Sequence, residues 1–204
     1  MKEVYFTQRL LAYLIDFLII GFASTLLITI VTLAIPTDEK YDKASESFLN
    51  EYQEVLKKND VKGFQDFFKN QKNNLYTMEK ASLIVYVFDI IIYAGYFGAF
   101  QYYNGGQTLG KKITKIKVVG NDKRNEYNYK TSLLRTAFNY GLFSKTLIII
   151  ILLICNSNNF FIPLYLVQGL AILFNFILIV MVAFRKDGRS LSDFICHTKV
   201  VSSK

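Results

Sequence analysis

Tryptophan is absent from this chain, histidine occurs once, and cysteine and proline occur twice each. The two cysteines, Cys155 and Cys196, lie far apart without the paired spacing of a zinc site, and the lone His197 cannot complete a cluster. Both cysteines read as small buried hydrophobes, and no metal or other cofactor is implied. No Ser/His, Cys/His or metal constellation is present, so the chain is read as non-enzymatic.

Charge is also scarce over long intervals. A length of 204 residues would suit one or two soluble domains, but 52% of the residues are apolar and they come in blocks. The net charge of +8 would suit nucleic acid if it formed a face. Here the basic residues border apolar blocks, as in cytoplasmic membrane loops, so no nucleic-acid partner is expected.

The first block, residues 10–36, carries only Asp16 and exceeds the roughly 20 residues that cross a bilayer core. Its apolar run is too long for a signal peptide and no small-residue cleavage site follows, which predicts a retained helix. The second block, 81–103, carries only Asp89, and the last, 160–184, is uncharged throughout. The third, 136–155, is interrupted by Lys145, with a re-entrant segment as the alternative to a full span. Between blocks, the 104–135 loop holds Lys111, Lys112, Lys115, Lys117, Lys123, Arg124, Lys130 and Arg135 against Asp122 and Glu126. The 185–204 tail is likewise basic. The positive-inside rule places both, and the N-terminus, in the cytoplasm, which requires an even number of spans. The expectation is an all-α membrane protein: a four-transmembrane-helix bundle, with 37–79 as an extracellular insertion. In that insertion Phe48, Tyr52, Val55 and then Phe64, Phe67, Phe68 recur at helical spacing, which predicts two short amphipathic helices.

The basic loop opens Gly105-Gly106-Gln107-Thr108-Leu109-Gly110-Lys111-Lys112. This imitates the start of a phosphate-binding loop, but Lys112 stands where Ser or Thr would hold magnesium, and a membrane helix precedes it. Further on, 115–119 alternates polar and apolar residues before a Gly120-Asn121-Asp122 turn, and 197–201 repeats the theme. A small cytoplasmic β pairing of 115–119 with 197–201 is therefore expected.

Three stretches together resemble the RDD family of bacterial multi-pass membrane proteins, named for one arginine and two aspartates. They are Arg9-Leu10-Leu11-Ala12-Tyr13-Leu14-Ile15-Asp16, Gly106 to Lys112, and Gly188-Arg189-Ser190-Leu191-Ser192-Asp193 with Thr198 to Val201. The resemblance implies a bacterial cell membrane location, gives Arg9, Asp16 and Asp193 the signature roles, and marks Gly106, Gln107, Thr108, Gly110, Lys111, Gly188 and Arg189 as the cytoplasmic motif. It also implies transport, with cation/proton exchange among the activities proposed for the family. The 37–79 insertion is longer than the family's usual connection.

A charge at the bilayer centre costs about 2.5–3.5 kcal/mol, so each one calls for a partner or a purpose. Arg9 and Asp16 fall on one helix face, roughly 10 Å apart along the axis. Asp193 is expected to reach the helix mouth and pair with Arg9, with Asp16 deeper on the ion or ligand path. Asp89 and Lys145 fall at matched depths, about 12 and 15 Å from their helix ends, and are expected to form an intramembrane ion pair. The functional expectation is a small transporter or transport-complex subunit acting on cations, protons or another ligand. The alternative is a non-catalytic accessory protein. The partners expected are the bilayer, whose anionic cytoplasmic leaflet holds the loop lysines, and a second copy or another membrane protein.

Overall fold

The computed structural model describes residues 4–34, 39–58, 61–121, 126–185 and 187–203. The far end of the first block at Pro36, and Asp122, Lys123, Arg124, Lys186 and Lys204, lie outside the described residues.

Helix α1 (Phe6–Ala34) crosses first. Helices α2 (Glu39–Lys58), α3 (Val61–Asn70) and α4 (Lys72–Ala81) form the insertion, so it holds three helices where periodicity predicts two. Phe48, Tyr52, Phe64, Phe67 and Phe68 pack ring against ring among them. The insertion seats on the helix ends beneath it. Leu75 joins Ile148, Leu152, Phe160 and Leu164 in one apolar cluster, and Tyr76 Oη donates to the Cys155 carbonyl at 2.8 Å.

The second span runs through α5 (Leu83–Tyr93), a π-helical segment (Ala94–Phe100) and α6 (Gln101–Tyr103). A π-helical segment widens the backbone ladder and is often found at working sites. Here Ser132 Oγ reaches in and donates to the Gly98 carbonyl at 2.7 Å. A short helix α7 (Leu109–Ile113) and strand β1 (Ile116–Gly120) follow. The third block is bent by 68° between α8 (Tyr129–Asn139) and α9 (Leu142–Ile154). Gly141 makes the corner at φ +66°, a conformation open to glycine at no steric cost. Helix α10 (Phe161–Phe184), the short α11 (Leu191–Ile195) and strand β2 (Thr198–Ser202) complete the chain.

Among the described residues, three helices are long and apolar enough to cross a membrane, or four if the bent pair counts as one span. Large apolar side chains face outward: Ile172 is 71% exposed and Phe176 63%. In water that surface would be costly; against lipid it is solvated.

Strands β1 and β2 pair antiparallel, Ile116 opposite Ser202 and Gly120 opposite Thr198, one residue along from the expected pairing. The two stretches that carry these strands are copies of one motif. Adding 82 to any residue number from 106 to 121 gives its counterpart. Gly106 and Gly188 both have positive φ, Thr108 and Ser190 both cap a five-residue helix, and Lys115 and His197 are, among the described residues, the two with positive φ other than glycine. The bond from Asn121 N to the His197 carbonyl (2.8 Å) is matched by Ser203 N to the Lys115 carbonyl (2.9 Å). Val118 faces its own counterpart Val200, so an approximate two-fold axis passes through the middle of the sheet. Apolar helices precede each copy of the motif, and the stretches 4–121 and 126–203 are called the two units.

Candidate functional site

Each short helix is fastened to a span at its N-terminus, where backbone N–H groups lack partners and attract negative charge. For α7 the anchor is Asp16. Its carboxylate accepts from Gly110 N (2.8 Å), Tyr96 Oη (2.7 Å) and Thr108 Oγ1 (2.5 Å), and it is buried. Thr108 Oγ1 in turn accepts from Lys111 N. Gly110 is glycine for a reason of space, since a Cβ there would meet the Ala12 carbonyl oxygen at 2.3 Å. Gly106 has the same constraint against the Val118 carbonyl, at 2.2 Å. Gln107 Nε2 donates to the Ile116 carbonyl at 2.8 Å, tying the motif to its strand.

For α11 the equivalent contact is to a neutral acceptor: Ser192, the counterpart of Gly110, donates from Oγ to Asn139 Oδ1 at 2.5 Å. The stronger anchor is Asp193, fully buried. It closes a capping box with Ser190 and accepts from Arg9 Nη2 at 2.7 Å. It also accepts from Arg135 Nε and Nη2 at 3.0 and 2.9 Å and from Thr198 Oγ1 at 3.2 Å. Burial alone would raise the Asp193 carboxyl, but Arg135 and Arg9 outweigh it and hold it well below the usual carboxylate range. Arg9 Nη1 also donates to the Gly188 carbonyl, and Arg189 lies over the Phe194 ring at 5.3 Å.

The structure thus joins Arg9 to Asp193 and keeps Asp16 apart from both, inside a cradle of neutral donors. It also joins Lys145 Nζ to Asp89 Oδ2 at 2.7 Å, with the ammonium 4.3 Å from the Tyr93 ring centroid. Sequence reasoning missed Arg135, which looked like one more loop cation. Its signal was position: it stands at the start of the third apolar block, as Arg9 does at the first.

Lys111, the counterpart of Asp193, is buried too. Its ammonium donates to Gln101 Oε1 and sits 5.9 Å from the Phe97 ring centroid. Desolvation, with Arg135 and Arg9 adding to it and Asp16 and Asp193 opposing, pulls its pKa down to about 7.

Arg9, Asp16, Lys111 and Arg135 line one cavity of about 540 Å³, whose lining also includes Tyr93, Asn139, Lys145 and Asn175. Helices α1, α5, α7, α8, α9 and α10 contribute to its lining, as do Ile116 and Val200 of the two strands. Among the described residues no group of His, Cys, Asp and Glu is arranged to hold a metal ion.

Apolar helices turned outward, with buried charges gathered around an internal cavity, define a multi-span integral membrane protein. The RDD family profile matches residues 4–198, nearly the whole chain, and the protein belongs to that family. No curated protein and no solved structure matches it.

Proposed function

We propose that this protein is a small, non-enzymatic membrane transporter, or the ligand-carrying subunit of a transport complex, working with protons through the cavity between its two units. The observation that carries this is the placement of Asp16 and Lys111, two ionisable side chains of opposite sign, in the lining of one cavity. Lys111 changes charge near neutral pH and can take up or release a proton as cargo moves. The Arg9–Asp193–Arg135 cluster holds the two units in register around the cavity. The end carrying the strands faces the cytoplasm, because Lys112, Lys115, Lys117, Lys130 and Lys199 lie there. Two copies, or this chain with another membrane protein, form the working assembly.

The test is proton movement in proteoliposomes carrying a trapped pH-sensitive dye, after imposing a gradient of sodium, potassium or phosphate. The intact protein should shift the internal pH with at least one of these. Asp16→Asn and Lys111→Met should abolish the shift while the protein still elutes as a single folded species. No shift with any gradient, together with a stable membrane partner retained in mild detergent, would replace this reading with that of an accessory protein.

A further inference from the structure

The cavity is unequally charged. Two guanidiniums share the single Asp193 carboxylate, and neither Lys111 nor Asp16 is in an ion pair among the described residues. Arg9, Lys111 and Arg135 therefore stand against Asp16 and Asp193, leaving one positive charge over when Lys111 is protonated. Lys145 is neutralised by Asp89. An uncompensated cation in a largely buried, low-dielectric site attracts an anion far more strongly than it would in water.

One side of the cavity is apolar, with Leu10 from α1 and Leu178, Ile179 and Val182 from α10, while Tyr93, Asn139, Tyr140 and Asn175 bring polar groups to the remainder. Leu10 and Ile179 line the cavity yet stay 43% and 60% exposed, so the wall between α1 and α10 is incomplete on the side that faces lipid. A small soluble anion would use the basic end and leave the apolar side empty. A molecule with one anionic group and a hydrocarbon chain would satisfy both.

We infer that the cavity is a binding site for an anionic amphiphile, a phosphodiester lipid, entering from the bilayer between α1 and α10 with its headgroup against Arg9, Lys111 and Arg135. This deepens the transport reading, resting on the same cavity. The two fail separately: lipid retained without proton movement removes transport and leaves the site, whereas proton movement without selective lipid binding does the reverse. The groups facing Lys111 are Asp16 and Arg9 from α1, Gln101 from α6, Arg135 from α8 and Asp193 from α11. With the Lys111 pKa drawn down to about 7, an anion that holds its ammonium protonated binds more tightly as pH falls through that value.

The experiment is native mass spectrometry of the full-length protein in mild detergent, titrated with phosphatidylglycerol, phosphatidylcholine or inorganic phosphate. One phosphatidylglycerol should be retained per chain, about tenfold more tightly at pH 6 than at pH 8, the ratio expected if one proton is taken up with the lipid. Phosphatidylcholine should be retained at least ten times more weakly, and excess phosphate should not displace the bound lipid. Lys111→Met should remove the pH dependence. Leu178→Trp fills the cavity without touching any ion pair, and should abolish retention even if the lysine variant fails to fold. Equal retention of the two lipids, or retention unchanged by Leu178→Trp, would overturn the proposal by reducing it to ordinary boundary lipid. Displacement by phosphate would overturn it in favour of a soluble-anion site.

Discussion

Asp193 has no accessible surface and takes hydrogen bonds from two guanidiniums, so removing it leaves two largely desolvated cations without a counter-charge. Asp193→Ala should cost about 3–5 kcal/mol, the usual penalty for breaking a buried ion pair from one side. The check is denaturant unfolding in micelles, and a midpoint equal to that of the parent protein would show the cluster to be incidental. Lys111 gives the opposite sign. Its folded pKa of about 7 lies below the ordinary 10.5, so between those values the unfolded chain binds more protons, and stability rises with pH across that window. Below pH 7 the buried ammonium is charged in both states and its penalty is fully present. Lys111→Met should therefore raise the unfolding temperature at pH 6 and have a smaller effect at pH 10, and the reverse order would contradict its burial. The Arg9–Asp193 and Asp89–Lys145 pairs were legible because isolated charges in apolar blocks must find opposite charges at similar depth. The second partner of Asp193 was not, since Arg135 sits in a run of loop cations and nothing local distinguishes a buried arginine from a solvated one. The donors to Asp16 lie on α7 and in the π-helical segment, and only the folded path of the second span brings them together.

At the scale of elements, the two short helices owe their positions to caps and to glycines more than to length, since five residues cannot hold a helix alone. Gly110→Ala drives a methyl into the Ala12 carbonyl, and because that atom is backbone it can yield only by separating α7 from α1. The expected result is a loss of at least about 2 kcal/mol, in the range for overpacked contacts, with Asp16 freed from its cradle. A parent-like unfolding midpoint would refute the close approach. The repeated motif also predicts paired behaviour. Lys115 and His197 occupy equivalent left-handed positions, so replacing either with glycine should change stability by the same small increment, up to about 1 kcal/mol in the stabilising direction. Unequal effects would show that the two units have diverged in backbone strain. The strand pair could be anticipated from its alternating residues and repeated Lys-Val-Val. The repeat itself was partly visible there, but spacing alone could not show that the glycines, caps and positive-φ residues also coincide. The 68° bend at Gly141 was foreshadowed only by the charge at Lys145, because hydropathy averages over direction and does not record it.

For the whole molecule, outward apolar faces and an inward cluster of charge follow from the bilayer acting as solvent, and this was the most legible level of the fold. Tagging the C-terminus and testing its accessibility in sealed right-side-out vesicles should show it protected from added protease, with protection lost on permeabilisation; access from outside would invert the orientation proposed for the strand end. The internal tandem gives the molecule a centre, and Arg9, Lys111, Arg135, Asp16 and Asp193 gather there from both units. The claim on which the account turns is that this centre is a working cavity rather than a structural seam. Proton movement by Leu178→Trp in proteoliposomes tests it most directly, because Leu178 is buried against the cavity and makes none of the ion pairs. The account predicts loss of movement with an unfolding temperature close to that of the parent protein. Undiminished movement in a correctly folded Leu178→Trp protein would contradict it.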